Sequence, residues 1–334
     1  MQAHPQRPSL APALAEPPSG AGLTAGQRRL QKWAWLTLLV NLGVIAWGAY
    51  VRASGSGAGC GDHWPTCNGE IIPHAPGVAT LIELTHRLTS GVVLLMTVGM
   101  TIGAFRLWPS GSRVRKIASL TMFFMLAEAG VGAGIVLLKM VGQDDSVGRA
   151  VIMAIHLCNT FLLLAATLTT ARWSGGGPVF RPAGHRGVAG LIGVNLALLL
   201  VLGASGAVTA LGDTLFPAGS LAEGIAQDLS PTAHLLIRLR VLHPLGAVSV
   251  GVFTAVAAVL VGLGASQPGV RRAAGAVVAL FFGQLCLGVV NLMLLAPTWA
   301  QLCHLLMADL VWMAVVWLGL DALSPPARSE PKTA

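Results

Sequence analysis

Apolar residues occur along the chain in eight long runs, separated by shorter polar or glycine-rich segments. Each run contains about 20 predominantly apolar residues, which is the length an α-helix needs to cross a lipid bilayer. The pattern therefore predicts an all-α integral membrane protein with eight transmembrane helices. The predicted spans are 33–52, 80–104, 115–138, 149–172, 187–209, 233–263, 271–294 and 299–321.

The two halves of the chain carry similar polar residues in the same order. Asn41 in the first span recurs as Asn195 in the fifth, and Glu128 in the third corresponds to Gln284 in the seventh. Four helices repeated in the same order and direction form a parallel repeat. We therefore expect two pseudo-symmetric four-helix bundles. The even-numbered spans each carry one histidine: His86, His156, His243 and His304.

The repeat divides the chain into five predicted segments. Residues 1–32 begin with a Pro-, Ala- and Gly-rich stretch that lacks the apolar core of a signal peptide, which predicts a disordered cytoplasmic tail. The N-terminal bundle, 33–172, and the C-terminal bundle, 187–321, are joined by a cytoplasmic linker at 173–186. A second cytoplasmic tail follows at 322–334.

Charged residues are scarce, at 10% of the chain against 54% hydrophobic residues, where a soluble domain has about 25%. The net charge is +8, but the basic residues lie in short clusters between spans, which argues against a nucleic-acid partner. Loops rich in Arg and Lys alternate with loops rich in carboxylates, so the positive-inside rule places both termini in the cytoplasm. Arginine outnumbers lysine and no transit peptide is apparent, which favours a bacterial plasma membrane.

The four histidines lie inside spans, where a polar side chain is costly without a partner or a function. From the rise of 1.5 Å per residue, we expect all four about 8 to 15 Å below the outer surface. One neutral imidazole from each of two helices at matching depth is what an axial haem pair requires. The pattern therefore predicts two haem groups. Helix-packing hydrogen bonds are the alternative, and zinc is less favoured because the nearest other imidazoles, His63 and His74, lie in a loop.

The charge beside the first histidine differs between the halves. Glu83 precedes His86 by three residues and shares its helix face, whereas Arg240 holds the corresponding place before His243. Beside a haem edge, Glu83 would move protons or stabilise developing positive charge. The alternative is an ion pair with the residue four positions later that merely anchors the helix. The candidate contacts to haem propionates are Arg87, Arg238 and Arg240.

Cys60 and Cys67 enclose a short Pro-containing loop on the face assigned to the oxidising compartment. This arrangement indicates a disulfide, with free or redox-active thiols as the alternative. Two further intramembrane carboxyl groups, Glu128 and Asp309, have no role that the sequence assigns. The remaining cysteines lie within spans and are interpreted as small core residues: Cys158, Cys286 and Cys303.

Several motifs together resemble those of the haem A synthases of bacterial plasma membranes and mitochondrial inner membranes. The resemblance covers about residues 33–321. The motifs are the run Gly48-Ala49-Tyr50-Val51-Arg52-x-Ser54-Gly55-Ser56-Gly57, the loop Cys60…Trp64-Pro65-x-Cys67, the segment Glu83-x-x-His86-Arg87, and the later histidines His156, His243 and His304.

The resemblance implies an enzyme that oxidises a methyl group of haem O to a formyl group, through a hydroxymethyl intermediate. The product would be the haem A of terminal oxidases, and the outer-loop cysteines would be the family's disulfide. The residues it assigns are His86 and His156 for the substrate haem, His243 and His304 as axial ligands of a permanent haem b, and Glu83 as the catalytic residue.

Two other functional classes remain open. A two-haem electron-transfer cytochrome b would use the four histidines equally well, and so would a haem-handling transporter or chaperone. Neither class requires a carboxylate beside the ligand in one half only. Expected partners are the bilayer and haem O, with a haem O synthase, an electron acceptor and a second copy of the chain as further candidates.

Overall fold

Eight helical segments of the computed structural model are long and apolar enough to cross a membrane, as the sequence predicts. The structure describes residues 22–177 and 180–324. The helices are α1 Ala25–Ala53, α2 Val78–Leu107, α3 Arg113–Leu137, α4 Val147–Ser174, α5 Arg186–Leu215, α6 Leu221–Leu229, α7 Leu235–Arg240, α8 Leu242–Leu263, α9 Pro268–Met293 and α10 Thr298–Ala322. The sixth span is α7 and α8 together, and α6 lies in the outer loop before it.

Helix α1 begins at Ala25, well before the predicted start of the first span. Thr24 accepts a hydrogen bond from the Gln27 N–H, and the Gln27 side chain accepts one from the Thr24 N–H. This capping box satisfies donors that a helix start leaves free. The expected disorder is therefore wrong for residues 25–32, which are helical. Residues 1–21 of the predicted N-terminal tail lie outside the described residues. Most of the predicted C-terminal tail, residues 325–334, also lies outside them.

The sixth span is interrupted rather than continuous. Helix α7 ends at Arg240 and α8 begins at Leu242. Pro244 has no N–H, and its ring would clash with the carbonyl four residues earlier, at Arg240. The proline thus explains why the predicted single helix over 233–263 breaks. The break also makes His243 the second residue of α8.

The largest buried apolar cluster joins helices from both halves of the sequence. At its centre the rings of Phe161 on α4 and Trp312 on α10 stack with their centres 5.0 Å apart. The Trp312 Nε1–H also donates to the Phe161 carbonyl. Many large apolar side chains on the outer faces of the helices are exposed, as expected for surfaces that contact lipid. Pseudo-symmetry between two separate bundles stays a prediction.

Candidate functional site

Each of the four intramembrane histidines lies near the outer end of its span. Each is between the seventh and the tenth residue from the start of α2, α4, the α7–α8 segment or α10. At 1.5 Å per residue, this places them roughly 9 to 14 Å along their helices. The four side chains are therefore at similar levels, as axial haem ligands need to be. They are His86, His156, His243 and His304.

The two second-half histidines face each other across a gap of metal-binding size. The ring centres of His243 and His304 lie 6.4 Å apart, with ring planes at 84°. Two metal–nitrogen bonds of about 2 Å each, plus roughly 1 Å from each nitrogen to its ring centre, span about 6 Å. The separation therefore fits one metal ion held between the two rings.

The protonation of His243 follows from its hydrogen bond. Its Nδ1 lies 3.0 Å from the Ser205 hydroxyl, and that hydroxyl donates its own proton to the Leu202 carbonyl, 2.7 Å away. A hydroxyl that donates to the Leu202 carbonyl accepts from His243, and in this arrangement Nδ1 carries the proton. The lone pair on Nε2 is left available for a metal, which is the usual arrangement of a ligating histidine.

Glycines on neighbouring helices face three of the four imidazoles. A Cβ added at the first two of these glycines would lie less than 3.0 Å from the ring, so the ring would have to shift, and at the third the contact would be tight. Sequence reasoning did not find this role for any of them, because a glycine opposite a histidine leaves no local pattern. The pairs, with the distance from the added Cβ to the imidazole Cε1, are Gly48–His86 at 2.8 Å, Gly206–His243 at 2.9 Å and Gly288–His304 at 3.2 Å.

The first-half histidines, His86 and His156, are close enough to interact electrostatically. Among the residues the structure describes, the buried Nδ1 atoms of His86, His156 and His304 have no hydrogen-bond partner. Buried polar atoms without partners are rare in folded proteins. The ring separation of His243 and His304 fits one haem iron between them, and haem binding by His86 and His156 stays a prediction.

Glu83 is almost fully buried, at 3% exposed, and is held from two sides. One carboxylate oxygen accepts from the Arg87 guanidinium, so the i, i+4 ion pair that the sequence offered as the alternative to a catalytic role is present. The other accepts from the Cys60 N–H at 2.8 Å. Arg87 also donates to the carbonyls of His63 and Thr66, at 2.6 and 2.7 Å. Glu83 and Arg87 therefore tie α2 to the outer loop that covers it.

The predicted disulfide between Cys60 and Cys67 is confirmed, with the two Cα atoms 4.4 Å apart. Both cysteines are fully buried. A Cβ added to Gly59 would lie 2.5 Å from the Ala79 carbonyl carbon, so the loop backbone rests directly on the start of α2. The disulfide loop is thus fixed at the outer end of the first-half site.

The same loop is also tied to the outer end of α3. The Lys139 ammonium lies 2.9 Å from the Asp62 carboxylate, which is exposed to solvent. This hydrogen bond, with the charge of Lys139, lowers the pKa of Asp62 below its ordinary value. The pair is therefore a surface contact that depends on Asp62 being ionised.

Arg240 is bound by carboxylates of the second half. It lies 3.1 Å from Asp213 on α5 and donates through Nε to Asp228 on α6, at 2.8 Å. Arg238 is exposed. The proposed contacts of Arg87, Arg238 and Arg240 with haem propionates stay predictions. Sequence reasoning missed Asp213 and Asp228 as partners, because they are distant along the chain.

Arg52, within the first of the resembling motifs, links the halves. It donates to the Ala210 carbonyl at 2.7 Å and to the Thr214 hydroxyl on α5, and to Gln301 on α10 at 2.8 Å. No local pattern predicts these contacts, since Gln301 is 249 residues away. The outer ends of α1, α5 and α10 are therefore joined through one guanidinium.

Over its described residues, the chain is a membrane protein with eight spanning helical segments and four histidines at similar levels within its even-numbered spans. A family model described as cytochrome oxidase assembly protein, COX15-CtaA, matches residues 31–80 and 76–316. The chain belongs to this family.

The curated relatives carry two different names. A Thermus thermophilus protein named Protoheme IX farnesyltransferase is 48% identical over 305 residues, which are 91% of this chain and 50% of that protein. The Heme A synthase of Symbiobacterium thermophilum is 37% identical over 130 residues, 37% of this chain and 40% of the relative. The Heme A synthase of Bacillus mycoides is 39% identical over 142 residues, which are 42% of this chain and 43% of that relative. The chain spans about half the length, or less, of these relatives.

Proposed function

We propose that this protein is a haem A synthase, which oxidises a methyl group of haem O to a formyl group through a hydroxymethyl intermediate. The observation that carries the proposal is a buried carboxylate, Glu83, three residues before the first histidine of one pair only. The other pair has Arg240 at that place. The Heme A synthase relatives and the family model support the same reaction.

In this proposal His86 and His156 hold the substrate haem O, and His243 and His304 hold a permanent haem b. When bound, haem iron supplies the redox chemistry that amino-acid side chains lack. The glycines opposite His86, His243 and His304 let these three rings approach the neighbouring helices, and Ser205 orients His243. An electron acceptor outside the chain takes the electrons that the oxidation releases.

Glu83 is the residue we assign to charge and proton handling. Arg87 and the Cys60 N–H hold its carboxylate in place between the disulfide loop and α2. A fixed carboxylate at this point stabilises positive charge that develops at the reacting carbon, or accepts the protons released there. The oxygen of the formyl group then comes from water.

Mass analysis of haems from cells that co-express this protein with a haem O synthase tests the proposal. Cells without this protein are the control. Conversion of haem O to a haem with a formyl group would support the synthase. Unchanged haem O, together with a purified protein that contains two haem b, would favour an electron-transfer cytochrome b.

Farnesyl transfer to protohaem is a second candidate, because the Thermus thermophilus relative carries that name at 48% identity. The match covers 50% of that relative, so its name does not assign farnesyl transfer to the shared half. Purified protein with protohaem and farnesyl diphosphate separates the two functions. Haem O formed without a haem O synthase would favour the farnesyltransferase.

We also propose a location and partners. The distribution of basic loops supports a bacterial plasma membrane with both termini in the cytoplasm. A haem O synthase, which makes the substrate, is the proposed partner on the supply side. The histidine pairs and the disulfide loop then lie towards the outer face.

A further inference from the structure

Glu128 on α3 is held beside one face of α4 that includes a proposed haem ligand. His156, Asn159 and Thr160 lie on this face, since they are three and four residues apart. The Asn159 amide and the Thr160 hydroxyl both donate to the Glu128 carboxylate. The Asn159 amide is itself fixed by a second hydrogen bond, 3.0 Å, to the Phe124 carbonyl. The carboxylate therefore has a defined position that does not depend on the histidine.

From this position Glu128 faces Nδ1 of His156, which is the ring nitrogen left free when Nε2 binds a metal. Its Oε1 lies 3.6 Å from Nδ1 of His156, just beyond hydrogen-bond distance. That Nδ1 is buried and has no hydrogen-bond partner among the described residues. A small rotation of the imidazole closes the gap and leaves Nε2 directed away from the carboxylate.

The second half has no counterpart of Glu128, Asn159 or Thr160 at the corresponding positions. Gln284 holds the place of Glu128 on α9, and its amide nitrogen lies 3.1 Å from Nε2 of His304. Three and four residues after His304 stand Met307 and Ala308, which donate no hydrogen bond through their side chains. The carboxylate and both of its donors are therefore specific to the first half.

A ligating histidine that donates its second ring N–H to a carboxylate has a fixed orientation and is a more basic ligand. A more basic ligand stabilises the oxidised, more positively charged iron. We propose that Glu128 is a positioning residue of the first-half site: it accepts the Nδ1–H of His156 and lowers the reduction potential of the haem bound there. The inference rests on the proposed function only in that His86 and His156 bind haem.

Substitution of Glu128 tests the proposal with a readout that does not involve turnover. Purified protein is loaded with protohaem, and its midpoint potentials are measured by spectroelectrochemical titration. His86→Ala and His243→Ala proteins assign each potential to one half. We expect Glu128→Gln to raise the first-half potential and leave the second unchanged. We expect Glu128→Asp, whose shorter side chain withdraws the carboxylate from Nδ1 of His156, to raise the first-half potential by a smaller amount.

The outcomes separate this inference from the proposed function. An unchanged first-half potential in Glu128→Gln, with haem still bound, would overturn the role of Glu128. If that variant does not fold, an unchanged first-half potential in Glu128→Asp, with haem still bound, would overturn the same role. If His86→Ala removed no haem from the protein, the proposed function would fail together with the inference.

Discussion

The two halves of the molecule present histidine pairs at similar levels but surround them with different charges. The first half has two carboxylates near its pair, Glu83 and Glu128. The second half has Arg240 and Gln284 at the corresponding places. In the proposed function both pairs bind haem, so haem binding alone does not explain the difference. The carboxylates are expected in the half where a reaction releases protons and electrons, and their absence suits a half that holds its haem permanently.

The same contrast extends to the outer loops. In both halves, the residue three positions before the first histidine is bound to the outer loop of its own half. Glu83 accepts from the Cys60 N–H in the disulfide loop, whereas Arg240 pairs with Asp228 on α6. The place before the histidine is the same and the sign of the charge is reversed. The two halves therefore surround their first histidines with different chemistry.

The largest expected effect on haem A formation is at Glu83, where the two halves carry side chains of opposite charge. Glu83→Gln keeps the shape of the side chain but removes its charge. Haem A formation should fall by roughly 100-fold or more, as for loss of a proton-transfer group. The measurement is the ratio of haem A to haem O in cells that supply haem O.

A matched control is Glu70→Gln, in the same outer loop, where the carboxylate is exposed and accepts from the His74 N–H. It should leave the ratio unchanged. A Glu83→Gln protein as active as wild type would show that Glu83 serves only to anchor α2 through Arg87.

The glycines opposite the histidines allow the halves to be disturbed one at a time. Gly206→Ala should impair haem b binding, and Gly48→Ala should impair binding of the substrate haem. Overpacking of this kind costs about 1–3 kcal/mol, which weakens binding by roughly 5- to 150-fold. Haem content after titration with each haem measures the effect.

Gly193→Ala on the same helix as Gly206 is the control, because its Cβ would have nothing within 4 Å. Equal loss of both haems in Gly206→Ala would contradict the assignment of separate sites to the two halves.

Asp309 is an acidic residue that the second half alone carries at its level, since Phe161 holds the corresponding place after His156. It is fully buried, and neither carboxyl oxygen has a hydrogen-bond partner among the described residues. An unpaired buried carboxylate is unfavourable. Asp309→Asn should therefore raise the melting temperature by a few degrees, which corresponds to about 1–2 kcal/mol.

Asp321, on the same helix, provides the opposite case. Its carboxylate pairs with Arg172 at 2.6 Å and accepts from the Trp317 indole at 2.9 Å. Asp321→Asn should lower the melting temperature. Similar destabilisation by both substitutions would show that Asp309 has a stabilising partner.

The smallest effect is expected at the exposed pair of Asp62 and Lys139. Because the pKa of Asp62 is lowered in the folded protein, the pair stabilises the protein above the ordinary pKa of about 4. This contribution is lost as the pH falls through the lowered folded value. The difference in melting temperature between wild type and Lys139→Gln should be small at pH 7 and disappear at low pH. A difference that grew on acidification would contradict this.

Much of the fold follows from the hydrophobic pattern, because crossing a bilayer requires long apolar helices. The disulfide and the Glu83–Arg87 pair were predictable because each depends on residues close together along the chain. Capping at Thr24 and the break before Pro244 were missed, since both shift helix ends without altering the apolar run. The contacts of Arg52 were not predictable, because they join residues that are distant in sequence and meet only after helix packing.

The most direct test of the account is the haem content of purified wild-type, His86→Ala and His243→Ala proteins from cells that make haem O. Mass analysis of the extracted haems gives the result. The account predicts that His86→Ala retains haem b but neither haem O nor haem A, whereas His243→Ala loses haem b and still binds haem O. Loss of haem b from His86→Ala, with haem O retained, would contradict the assignment of the two halves.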